Sequence, residues 1–116
     1  NLKNNYSSVK VYSFQEQDYV NSNRQFVGTL MGDHCKTGIN TMLNTGTVLG
    51  VNVNIVGGDF PPKFLPSFSW VNRQKVYTYR LDKAVEVAKA VMARRQCRLS
   101  DFEFSILNHL FETKQP

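Results

Sequence analysis

The chain has 116 residues, 41% of them hydrophobic, and a formal net charge of +5, which suits one domain with a tail and not several. No apolar stretch is long enough for a membrane span and no basic region followed by an apolar segment marks a signal peptide, so the expectation is a cytoplasmic protein without a membrane partner. Cys35 and Cys97 fall in different predicted elements and read as free thiols of a reducing compartment. The two histidines and two cysteines are not spaced as metal ligands, and no P-loop or dinucleotide fingerprint occurs.

Residues 1–24 are polar and irregular. Val9, Val11 and Ser13 alternate with Lys10 and Tyr12, predicting a short strand, and 15–23 reads as a loop or protruding insertion. From 25 to 59 the chain repeats every six residues. Gln25, Met31, Thr37, Leu43, Leu49 and Ile55 form one mostly apolar register, and Thr29, Cys35, Thr41, Thr47 and Val53 a second, small one. Between them Gly28, His34, Asn40, Gly46, Asn52 and Gly58 are residue types that adopt positive φ at low cost, so a bend is expected every six residues. Neither helical periodicity nor strict alternation gives such a beat. A coiled parallel β-solenoid does, each coil burying the face of the next.

After the repeat, three prolines set among Phe60, Phe64, Leu65, Phe68 and Trp70 exclude a helix; these apolar groups are expected to cover the end of the coils or a neighbouring subunit. Residues 67–71 and 75–79 predict a hairpin around 72–74. Leu81, Ala84, Val85, Ala88, Val91 and Met92 form one helical stripe. Ser100 with Glu103 supplies a capping box, and Leu99 with Phe104 a staple, so a second helix should begin at Asp101. The excess charge is local: residues 61–98 hold nine basic side chains against Asp82 and Glu86. Such a stripe fits a phosphate group or nucleic acid. No aromatic-and-basic binding motif accompanies it, which favours a solvated helix over a nucleic-acid surface.

The repeat resembles the hexapeptide-repeat family. The stretch GDHCKTGINTMLNTGTVLGVNVNIVGGDFPPKFLPSFSW, with NLKNNYSSVKV before it and LDKAVEVAKAVMARR after it, resembles the C-terminal part of bacterial sugar-phosphate nucleotidyltransferase-like proteins, relatives of the bifunctional N-acetylglucosamine-1-phosphate uridyltransferase/glucosamine-1-phosphate acetyltransferase. The resemblance implies a mainly β fold, a left-handed parallel β-helix with three hexapeptides per coil and C-terminal α-helices. It divides the chain into coils with an insertion loop and capping segment over 1–70, and a hairpin or extended segment with a two-helix tail over 71–116. The nucleotidyltransferase domain that would precede the coils is absent from this sequence, so a fragment is expected, and any Mg²⁺ would belong to that domain. The implied function is a trimer-forming domain of a sugar-nucleotide biosynthesis transferase that binds sugar phosphate, sugar nucleotide or acyl-CoA, with acetyl-CoA as the co-substrate. The alternative is a non-catalytic oligomerisation or regulatory domain of the same enzyme.

Candidate site residues are few. His34 is the general-base candidate, because imidazole titrates near working pH, and Asp33 could orient its ring; a histidine serving only as a turn residue is the other reading. The related acetyltransferase has its catalytic histidine upstream of the matching segment, so no residue here inherits that role. Asn1, Lys3 and Tyr6 resemble a variant of that enzyme's substrate-binding Asn-Tyr-Asp-Gly segment; an Asx-rich turn accounts for the same residues. Lys63 and Lys75, following the coils, are the cofactor-phosphate candidates. Eighteen-residue stacking would set Leu30 over Val48 as an outward apolar ridge calling for a partner, and the family's usual homotrimer supplies one.

Overall fold

In the computed structural model, residues 5–114 are described. An antiparallel hairpin of β1 (Lys10–Ser13) and β2 (Asp18–Asn21) comes first. Two strand stacks follow. Parallel strands β3 (Thr29–Met31), β5 (Thr47–Leu49) and β7 (Phe64–Leu65) make one sheet. The other holds β4 (Lys36–Thr37), β6 (Asn54–Val56) and β8 (Ser69–Asn72) in parallel, with β9 (Lys75–Thr78) antiparallel at its edge. Helices α1 (Leu81–Ala93) and α2 (Asp101–Thr113) close the chain.

The mainly β, left-handed parallel β-helix expected from the sequence is corrected by this arrangement. The described residues form three separate small sheets of two, three and four strands, of mixed orientation, with two 13-residue helices packed on them. The third hexapeptide of each expected coil, at Thr41–Leu43 and at Asp59–Pro61, forms no strand, so no closed three-sided coil results. Local pairing does follow the beat. Thr29 pairs with Thr47, Leu30 with Val48 and Lys36 with Asn54, each eighteen residues on, and the offset falls to sixteen at Val48–Phe64 and Asn54–Trp70. The region expected as a loop over 15–23 instead supplies β2.

Bends fall where small or amide-bearing residues permit them. Gly28, His34, Asn40, Gly46 and Asn52 all have positive φ, whereas the sixth bend lies at Gly57 and not Gly58. One corner stacks His34, Asn52 and Phe68, at φ of 64°, 58° and 60°. There Asn52 N donates to Asp33 O at 2.9 Å and Phe68 N to Val51 O at 2.8 Å. Asn52 is 1% exposed, and its Nδ2 has no hydrogen-bond partner among the described residues. Replacing it with valine should cost about 1–2 kcal/mol of stability through the left-handed backbone. Glycine removes that steric cost and leaves only a small void, so its melting temperature should lie above that of the valine variant. Equal melting temperatures for the two variants would contradict the reading.

Leu49, Val53, Ile55, Leu65 and Val71 form the interior between the two stacks, with Cys35 and Leu43 packed against it. Met31 and Thr37 remain exposed because β3 and β4 are the edge strands of their sheets, with no further strand above them among the described residues. A second core gathers Phe68, Tyr79, Ala84, Val85, Leu99 and Leu107 beneath the helices. The proline-rich segment therefore places its apolar side chains in three settings: Leu65 in the interior, Phe68 under α2, and Phe64 stacked on Tyr12 of the hairpin at 3.6 Å between centroids. β1 lies on β5, and Val48 is only 4% exposed while its partner Leu30 is 53% exposed. Half of the expected outward ridge is thus covered by the chain's own hairpin. α2 starts at Asp101 with the capping box complete: Glu103 N donates to Ser100 Oγ at 3.1 Å and Ser100 N to Glu103 Oε1 at 3.3 Å, worth about 1 kcal/mol. No helix among the described residues is long and apolar enough to cross a membrane.

Candidate functional site

The hairpin, the bend before β5 and the approach to β7 converge on one recess. Asn5, Ser7, Ser8, Lys10, Thr45 and Lys63 line a volume of about 370 Å³. Lys63 crosses fifty-three positions of sequence to reach it, its Nζ donating to Lys10 O at 3.0 Å. That single bond leaves two ammonium protons for another acceptor. Thr45 is fixed by its neighbours, its Oγ1 accepting from Val27 N and Gly28 N, each at 3.1 Å. Ser7 Oγ donates to Asn5 Oδ1 at 2.6 Å. Gly46 makes the approach possible: a Cβ there would lie 2.5 Å from Val9 Cγ1 and 3.3 Å from Lys63 Nζ. Two lysines, two serines, a threonine and an asparagine line the recess, with no acidic residue among the described lining residues. That set can hold a phosphate or another polyanion by charge and by hydrogen bonds.

The other sequence-derived residues lie elsewhere. His34 and Asp33 open onto a separate cleft of about 170 Å³ walled by Val51, Leu99, Ile106, Leu107 and Leu110, with Glu103 at its rim. His34 is half-buried, and its carbonyl accepts from Lys36 Nζ at 3.2 Å. No hydrogen bond joins the Asp33 carboxylate to the His34 ring among the described residues. Lys75 is exposed at the start of β9, in register with Asn72, and lines neither volume. Tyr6 is exposed with φ 63°, and its carbonyl accepts from Gln25 Nε2 at 3.2 Å. Asn1 and Lys3 lie outside the described residues.

Comparison with known proteins gives no match. No family model fits the chain, and no curated protein or solved structure is significantly similar to it.

Sequence reasoning named Lys63 as a phosphate candidate but not Lys10, Thr45 and the serines that line the recess with it. A lysine in a predicted strand and a threonine before a glycine carry no local mark of a site, and only the folded hairpin brings them to Lys63. Both thiols are free; burial pushes the Cys35 thiol above its ordinary range, and its Sγ lies 2.9 Å from Gly50 O, while Cys97 is exposed. Among the described residues, no group of three or more His, Cys, Asp or Glu side chains could hold a metal ion.

Proposed function

We propose that this chain is the phosphate-ligand-binding and oligomerising domain of a cytoplasmic sugar-nucleotide biosynthesis transferase, taking a sugar phosphate, sugar nucleotide or acyl-CoA in the Lys10–Lys63 recess. The observation that carries the reading is the meeting of two lysines with Ser7, Ser8 and Thr45, drawn from three separate parts of the chain, around one opening with no acidic residue among the described lining residues. The sequence resemblance supplies the ligand class. The free cysteines suit a reducing compartment. Nucleotidyl transfer by this domain alone is not part of the proposal, since that chemistry needs a phosphate-cradling loop and carboxylates holding Mg²⁺. No proton-transfer step is assigned to His34, whose cleft shares no lining residue with the recess.

Oligomerisation without catalysis is favoured by a specific feature: Leu30, Met31, Ile39 and Met42 are exposed near the outer strands, Ile39 at 95%. Such a group of apolar side chains suits a second copy of the chain. One set of measurements separates the readings. Calorimetric titration with acetyl-CoA, UDP-N-acetylglucosamine and glucosamine 1-phosphate should give heat with at least one of them, and Lys63→Ala should weaken that binding about tenfold, the loss of one charge-assisted contact. Sedimentation at micromolar concentration should give a trimer. A trimer that binds none of the three ligands selects the purely structural reading, and a stable monomer removes the oligomeric part of both.

A further inference from the structure

The outer face of the four-stranded sheet carries Lys36, Asn54, Trp70 and Tyr77 in one row across β4, β6, β8 and β9, each in register with the next. The opposite face of the same strands presents Ile55 and Val71 to the interior cluster. At the β9 end of the row, Trp70, Tyr77, Tyr79, Arg80 and Lys83 enclose a cleft of about 240 Å³. Its aromatic walls are held in place: the Trp70 and Tyr79 rings meet edge to face at 5.1 Å, and Tyr79 N donates to Phe68 O at 2.7 Å. Tyr77 completes the opening and stays 53% exposed.

The rim carries two cations, each facing a carboxylate. Arg80 pairs with Asp82 at 2.8 Å and Lys83 with Glu86 at 3.7 Å, with all four side chains at least 60% exposed. Exposed pairs of this kind hold their partners by about 0–1 kcal/mol, so a ligand anion can displace the carboxylates. We infer that this cleft binds the base of a nucleoside phosphate, stacked against Tyr77 and Trp70, with the phosphate at the rim against Arg80 and Lys83. Size agrees with a base-sized occupant, since pockets that enclose whole ligands run to about 300 Å³ and more. Flat π-faces accept any base. A saccharide would also pack on aromatic faces, but it needs several side-chain acceptors and donors for its hydroxyls, and of the non-aromatic side chains lining the cleft only the Thr78 hydroxyl can accept. The two rim carboxylates are the only acidic side chains of residues 61–98, a segment that holds nine basic ones. This site is separate from the Lys10–Lys63 recess and does not depend on it.

Trp70 is the sole tryptophan, so its emission reports this cleft alone. Fluorescence titration of the full chain with UMP, AMP, uridine, glucose, inorganic phosphate and a fifteen-nucleotide oligo(dT) tests the inference. UMP or AMP should quench Trp70 saturably, uridine more weakly, and phosphate alone not at all. Tyr77→Ala should weaken nucleotide binding about tenfold, as loss of one stacking ring does. Because Tyr77 is half exposed, that variant should keep its circular dichroism spectrum. Lys83→Ala should weaken UMP more than uridine, and Lys63→Ala should change neither. Oligo(dT) binding more tightly than UMP, with a steep salt dependence, would assign the nucleoside phosphate to a single strand; equal affinities would assign it to the free nucleotide. Lack of saturable quenching by any nucleotide overturns the inference, as does unchanged affinity in Tyr77→Ala, quenching by glucose without quenching by uridine, or loss of quenching in Lys63→Ala.

Discussion

Replacing Phe68 with alanine should remove about 3–5 kcal/mol of stability, the usual cost of emptying a buried aromatic site. That is a large share of the roughly 5–15 kcal/mol that holds a domain of this size. Phe68 is 1% exposed, joins Tyr79, Ala84, Val85, Leu99 and Leu107 in one cluster, and meets Phe111 edge to face at 5.2 Å. It does so from a left-handed backbone at φ 60°, which costs a residue with a Cβ about 1–2 kcal/mol. Packing therefore holds the strain. Alanine keeps the strain and loses the packing, while glycine loses both. Phe68→Gly should accordingly be no less stable than Phe68→Ala in chemical denaturation, the reverse of the ordinary order in which glycine is the worse substitute by about 0.5–1 kcal/mol. The ordinary order at this position would show that the left-handed corner is misplaced.

Gly50→Ala should be strongly destabilising although Gly50 has no positive φ. A Cβ at Gly50 would lie 2.5 Å from Ser67 N and 2.9 Å from Ser67 Cα, and one at Gly32 would lie 2.5 Å from Gly50 O. These are backbone atoms of adjacent turns, already joined by Val51 N donating to Ser67 Oγ at 2.9 Å, so they cannot swing aside as a side-chain tip would. Overpacking against fixed backbone costs about 1–3 kcal/mol, or several degrees of melting temperature for a chain this long. Gly58 is the control. A Cβ there meets nothing within 4 Å, and alanine should leave stability unchanged or raise it by about 0.4–1 kcal/mol through the unfolded state. Similar melting temperatures for the Gly50 and Gly58 variants would mean the turns do not stack as described.

The features legible in the sequence are those fixed by neighbouring residues. His34, Asn40 and Asn52 announce their bends by residue type, Ser100 and Glu103 announce a helix start, and the extended runs announce a hairpin around 72–74, whose turn the structure narrows to Arg73 and Gln74 because Asn72 pairs with Lys75. What escaped depends on contacts across the chain. β2 is polar and mostly exposed, so it pairs with β1 without an alternating pattern. The third hexapeptide of the first expected coil keeps its spacing at Thr41 and Leu43 yet forms no strand, since periodicity states where a strand could lie and not whether a partner ladder exists. Lys63 was recognisable as a phosphate candidate, but its recess exists only because the hairpin folds back over β5. The aromatic cleft was hidden for a similar reason: Trp70 and Tyr77 become neighbours through hairpin register, and Arg80 follows by chain direction.

The near-constant spacing of paired strands also sets an order of assembly. Joining β5 to β3, then β7 to β5, closes loops of almost equal length, so each addition carries nearly the same entropic cost. The Lys63–Lys10 contact spans fifty-three residues, and closing that longer loop in the unfolded chain costs about 1 kcal/mol more. The stacks can therefore form by successive local additions, with the hairpin docking over β5 and β7 last. Truncating Tyr12 should then speed unfolding and leave refolding nearly unchanged, a φ-value near zero, whereas truncating Ile55 should slow refolding. The groups that close the recess between Lys10 and Lys63 would be the last to arrive and the first to leave, so that opening would form only after both strand stacks are in place.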